Sequence, residues 1–181
     1  MHEQLAAVVA DLDAASTRLR VLSARVNADA WGRRPAPERW SPGDCVAHLN
    51  LTTEAFLPRL RAGIDEARGK GAARGGRFRL GFAGWLVKTV AGPSRWMKTR
   101  TTPGFVPSGD RPGAELVARF EQLQDELVGL VRASDGLPLD RVAITSPFNS
   151  HLRYSVYAAF STIPGHQHRH LAQAEEAVNG R

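Results

Sequence analysis

Gly165-His166-Gln167-His168-Arg169-His170-Leu171-Ala172-Gln173 lies in a segment whose apolar residues keep a helical period from Tyr154 to about Val178. Val156, Ala159/Phe160, Ile163, then positions 166/167, 170, 174 and 177 form the stripe expected to face a core. His166 and His170 are four residues apart, so they share one helix face, one turn above each other. His168 lies roughly 200° around the axis from either and points away. Two imidazoles on a buried face need partners, because an unsatisfied buried polar group costs about 1–3 kcal/mol. A divalent cation is one solution and buried hydrogen bonds are the other. A third ligand from another helix would shift the balance toward the cation. Pro164 removes the hydrogen bond to the Phe160 carbonyl and predicts a kink, or a complete break, just before His166.

The rest of the chain supplies three more long helices. Leu5, Val8, Leu12, Ala15, Leu19, Leu22 and Val26 recur in steps of three and four, which predicts a helix from about Glu3 to Asn27. Gly32 and the Pro35/Pro37 pair break it. The second helix opens at Trp40-Ser41-Pro42-Gly43-Asp44-Cys45, with Ser41 as N-cap, Pro42 in the first turn and Asp44 placed to return a capping-box bond. Trp40 is placed to staple against Cys45. Cys45, His48/Leu49, Thr52, Phe56, Leu60 and Ile64 trace its inward face, so His48 is on or beside the core and becomes the third histidine.

Gly69 to Gly76 reads as a basic break, and Phe78 to Ala91 as a short helix weakened by Gly81 and Gly84. Thr101-Thr102-Pro103-Gly104-Phe105-Val106-Pro107 predicts an extended loop. Arg95, Lys98 and Arg100, with Trp96 and Phe105, either line the mouth of a pocket or form a solvated basic lid. Leu116, Phe120, Leu123, Leu127 and Leu130/Val131 place another helix from about Arg111 or Pro112 to Ala133. Leu137 to Arg153, with Pro138 and Pro147, reads as loop. Four long amphipathic helices without strand patterning argue for an all-α four-helix bundle with a short extra helix and a long basic loop between the second and third long helices, as one domain over residues 1–181.

Composition narrows the function classes. The chain of 181 residues, 43% hydrophobic and 23% charged, is ordinary for a globular domain. A single cysteine, Cys45, excludes an internal disulfide and a multi-cysteine zinc site. No apolar run reaches membrane-spanning length, and the acid-containing N-terminus does not read as a signal peptide, so a cytoplasmic protein is expected. The net charge of +6 is concentrated between Arg59 and Arg100. That span suits an anionic small molecule, whereas nucleic-acid binding is disfavoured because no recognition helix, zinc finger or RNP-type motif accompanies it. His2, His151 and His168 read as surface residues, Cys45 as a small buried hydrophobe, Asp44 as a cap, and Glu54 as too loosely placed for a general base.

Two pieces, Trp40-Ser41-x-x-Asp44-x-x-x-His48-Leu49-Asn50 and His166-x-x-Arg169-His170-Leu171-x-Gln173, resemble the signature segments of the DinB-like superfamily, which includes the YfiT-like metal hydrolases. The stretch from Thr102 to Pro107 and the lead-in from Pro147 to Tyr157 are similar to one branch of it. The resemblance implies a four-helix bundle holding a divalent metal, Zn²⁺ or Ni²⁺, on His48, His166 and His170. It also implies transferase or isomerase chemistry with a low-molecular-weight thiol such as mycothiol or bacillithiol. The rivals are a hydrolase using metal-bound hydroxide and a nonenzymatic metal-binding stress protein. Pro164-Gly165 departs from the small helix-forming residues of the family. The expected partner is a small-molecule substrate, with Lys98 and Arg100 docking its carboxylate. Bundles often pair, so a homodimer is expected as well.

Overall fold

The computed structural model describes residues 1–73, 75–92, 101–109 and 111–180. Among these residues the chain is mostly helical, in the order α1 (Glu3–Ser23), α2 (Pro42–Gly69), α3 (Gly81–Ala91), α4 (Gly113–Ala133), β1 (Ala143–Thr145), β2 (Arg153–Ser155) and α5 (Val156–Val178). The four long helices contact one another in a ring: α2 packs on α4 and α5, and α1 packs on the same two. The short α3 lies against α5.

Local chemistry sets the helix ends. Ser41 caps α2 through the expected box: its Oγ accepts from Asp44 N at 3.0 Å, and Asp44 Oδ2 accepts from Ser41 N at 2.9 Å. At α1 the cap is His2, whose Nδ1 accepts from Gln4 N. Ser155 caps α5 by accepting from Ala158 N. Pro164 does not break α5, which stays continuous on both sides of it. Its missing N–H is tolerated because the whole first half of the helix, Val156 to Pro164, is buried by neighbours.

Three boundaries differ from the sequence reading. Helix α1 stops at Ser23, and Asn27 instead caps a single 3₁₀ turn, Ala28–Ala30. The segment 137–153 is not all loop. Residues 143–145 pair with 153–155 as an antiparallel hairpin, register Ile144↔Tyr154, with both of these side chains buried, so Tyr154 lies in a strand and the last helix begins at Val156. Strands of three residues are too short to show a period in sequence. Within the TPGF stretch, Pro103–Phe105 forms a 3₁₀ turn.

The apolar interior falls into two clusters. One gathers Leu5, Leu12, Phe56, Leu60, Leu127 and Phe160. The other gathers Leu19, Trp31, Cys45, Leu49, Phe120 and Leu171. Between these levels on the helices sit buried polar residues: Ser16, Thr52, Gln124 and Gln167. Gln124 and Gln167 exchange amide hydrogen bonds of 2.9 and 2.8 Å, and Gln124 Nε2 also donates to Leu12 O at 2.8 Å. This pair fixes the rotation of α5 against α1 and α4, one residue from His166. A Gln167→Ala substitution removes the partner of buried Gln124 Oε1 and is expected to lower stability by about 1–3 kcal/mol. Urea denaturation with an unchanged m-value would check it.

Candidate metal centre

The capped start of α2 delivers His48 to the interior, and the rotation of α5 turns His166 and His170 toward it. Ligand-capable nitrogens of all three lie within 4.8 Å of one another. Their ring centroids are 4.4 Å (His48–His170), 4.6 Å (His166–His170) and 5.2 Å (His48–His166) apart. His168 is not in the group; its backbone carbonyl accepts from Arg18 on the α1 side, where Arg18 also pairs with Glu175. The reading of positions 166 and 170 as one face and 168 as another therefore describes the packing.

The tautomer of His48 follows from its contacts. Its Nδ1 lies 2.8 Å from the Phe105 carbonyl, an acceptor only, so Nδ1 carries the proton and Nε2 presents a lone pair. That Nε2 is 3.3 Å from His166 Nε2. Two nitrogens on one tetrahedral zinc, at about 2.0–2.1 Å each, sit roughly 3.3 Å apart. Without a cation the same contact is an N–H···N bond from His166 to His48. Hydrogen bonding within the protein does not serve the third ring as well, since His170 Nδ1 is buried without a partner. The donor set fits a divalent, imidazole-binding ion.

Electrostatics keep the rings neutral. Burial lowers the His48 pKa, against a smaller rise from its bond to Phe105. Burial, then the neighbouring His170 and His48 and then Arg169, hold His166 well below the ordinary imidazole range. His166 keeps part of its surface on an open cavity, but is deep enough for this desolvation. His170 is brought down to about 3, mainly by burial and then by His48 and Arg169, with Gln173 on the next turn opposing the shift. Neutral imidazole is the form that ligates a metal.

The cluster opens into a cavity of about 530 Å³. Among the described residues one wall is apolar, made by Leu86, Val87 and Val90 of α3 with Phe148 and Leu152 of the hairpin. The other carries Arg39, Arg169 and Gln173 beside the histidines. Arg169 Nη1 donates to Val90 O at 3.0 Å, joining the last turn of α3 to α5 across the cavity. Glu38 is the one carboxylate on this lining among the described residues, and it is exposed. A separate cavity of about 500 Å³, between Trp31 and the start of α4, does not include the histidines.

Three contributors take roles at the site that the sequence reading did not assign them. Trp40, expected as a helix staple, sits tilted against the His48 ring at 4.9 Å and stacks on His170 at 5.7 Å. Phe105 acts through its backbone carbonyl, which no side-chain pattern announces. Phe148 of the hairpin loop packs on Phe105 at 4.8 Å and approaches His166 at 6.1 Å. Other expected residues take the places read for them. Cys45 is buried, with its thiol pushed up to about 12 by burial, and lies off the cavity. Asn50 points away from the histidines and donates to Leu116 O. Glu54 pairs with Arg119 and is not at the centre. Lys98 and Arg100, with Arg95 and Trp96, lie outside the described residues.

A family model described as the DinB superfamily matches residues 11–174. No curated protein and no solved structure matches the chain.

Proposed function

Because this chain belongs to the DinB superfamily, we propose that its four long helices form a four-helix bundle in which His48, His166 and His170 hold a divalent cation, Zn²⁺ or Ni²⁺, for transfer of a low-molecular-weight thiol to an electrophilic substrate. The observation that carries this reading is the convergence of three neutral imidazoles at the wall of a substrate-sized cavity. A bound cation would supply Lewis acidity there, lowering the pKa of a thiol such as mycothiol or bacillithiol. The protein's own groups then divide the remaining work. The Phe105 carbonyl fixes the His48 tautomer, and Trp40 covers two of the rings. Leu86, Val87, Val90, Phe148 and Leu152 exclude water and receive the apolar body of a substrate. Arg39 and Arg169 offer positive charge to a carboxylate on either reactant, a role that Lys98 and Arg100 share in this reading.

Thiol transfer is favoured over hydrolysis by the lining of the cavity. Deprotonating an attacking water calls for a positioned base. Glu54 is engaged by Arg119, and Glu38 on the cavity lining is exposed. The test is turnover of mycothiol or bacillithiol with electrophiles by Zn²⁺- or Ni²⁺-loaded protein. Thiol-dependent activity lost by more than about 100-fold in His48→Ala supports the reading. Hydrolysis that proceeds equally well without thiol would replace it with the hydrolase.

A further inference from the structure

The outer face of α3 is the largest concentration of exposed apolar side chains among the described residues. Phe82 is 79% exposed, Trp85 55% and Leu86 42%, and together they occupy consecutive turns of one helix face. Packing does not require them to face outward by default; the opposite face is already committed. Gly84 lies so close to α5 that an added Cβ would meet Ala158 Cβ at 2.5 Å. Lys88 Nζ donates to Ser161 Oγ at 2.7 Å. With the Arg169 bond to Val90 O, these contacts seat the Gly84 side of the helix on α5 and leave the Phe82–Trp85–Leu86 side largely exposed among the described residues.

Charge around this face is one-sided. Exposed Arg77 and Arg79 precede it, while no Asp or Glu occurs in the sequence between Glu66 and Asp110. From elsewhere in the fold Asp140 reaches this edge, where its carboxylate accepts from the backbone N–H of Arg79. Phe and Trp on one side of a short helix, flanked by arginines, suit the headgroup region of a bilayer, where the rings sit at the acyl boundary and the cations meet anionic lipid. A second copy of the chain would bring two cationic rims together. That no helix among the described residues is long and apolar enough to span a membrane is no obstacle, because docking of this kind lies in the plane of the surface.

We propose that α3 docks this protein peripherally on an anionic lipid surface, with Phe82, Trp85 and Leu86 inserted and Arg77 and Arg79 paired with phosphate-bearing headgroups. Leu86 also lines the histidine cavity, so docking sets the cavity beside the bilayer.

The test is cosedimentation of the full chain with vesicles of phosphatidylcholine alone or with phosphatidylglycerol, at low and high salt. Wild type is expected to bind the anionic vesicles and to weaken about tenfold or more at high salt. The double variant Phe82→Ser/Trp85→Ser keeps the net charge and the histidines, and is expected to bind at least about tenfold more weakly. Circular dichroism confirms that it is folded. No wild-type binding to anionic vesicles at low salt overturns the proposal, and that arm needs no variant. Equal binding by a folded double variant also overturns it, leaving only diffuse attraction by a basic protein. A wild-type dimer that dissociates in the double variant, without vesicle binding, assigns the face to a second copy instead.

Discussion

Zinc or nickel added to metal-free protein is expected to raise its melting temperature by about 5–10 °C, and His48→Ala or His166→Ala to abolish that shift. A ligand at a hundred times its dissociation constant stabilises by about 2.7 kcal/mol, and each kcal/mol moves the midpoint of a domain this size by about 2–4 °C. The binding free energy is available because the three rings are neutral, converge within 4.8 Å, and include one buried nitrogen with no other partner. Removing one of three ligands should weaken binding by at least about 100-fold, beyond the effect usual for an outer-sphere partner. His168→Ala is the matched control, on the same helix but a different face from the cluster, and should retain the full shift. Metal content of untagged protein by mass spectrometry gives the second readout, with near-stoichiometric metal in wild type and His168→Ala only. Wild-type protein that neither carries metal nor responds to it would leave His166 hydrogen-bonded to His48, and the enzymatic reading would fall with the site.

The helices were legible because their chemistry is local. The Ser41–Asp44 box, the three-and-four spacing of α1 and α4, and the four-residue step from His166 to His170 are each settled within a turn or two of helix. The meeting of His48 with that pair was legible only as a consequence of inward faces on two helices, together with the family signatures. What the sequence concealed depends on partners far away in the chain. The Phe105 carbonyl binds His48 across 57 positions, and a carbonyl has no side-chain identity to read. The hairpin that brings Phe148 to the cavity is held by two three-residue strands whose pairing is tertiary. Gln124 and Gln167 are polar residues on buried stripes, satisfied only by each other and by Leu12 O, so single-helix periodicity marks them as faults. Pro164 is the opposite case. Its propensity argues for a break, and burial of the surrounding turns keeps the helix continuous.

Acid should destabilise the metal-free protein steeply, and well above the range in which carboxylates titrate. In the fold the pKa values of His48, His166 and His170 are all depressed, chiefly by burial, with His170 near 3. In the unfolded chain each returns to about 6.5. Above that value neither state binds the protons and the shift contributes nothing. Below it the unfolded state takes up protons that the folded state refuses, so stability falls as pH falls, and the loss stops growing for each ring only at its folded-state pKa. The slope approaches about 1.4 kcal/mol per pH unit for each ring still neutral in the fold, or roughly 4 for the three together. Against a typical stability of about 5–15 kcal/mol, unfolding within a few pH units of neutrality follows. The Glu175–Arg18 pair has the same sign, because a carboxylate pKa lowered by Arg18 withdraws stability on acidification, but it acts only near and below the ordinary carboxylate range. Urea midpoints measured with a chelator between pH 5 and 7.5 therefore isolate the histidines. His166→Leu, which removes one titrating ring, should flatten the profile by about a third. A midpoint that stays constant across that interval would mean that the rings protonate freely in the folded state, and that the cluster is neither as buried nor as poised for a metal as its geometry indicates.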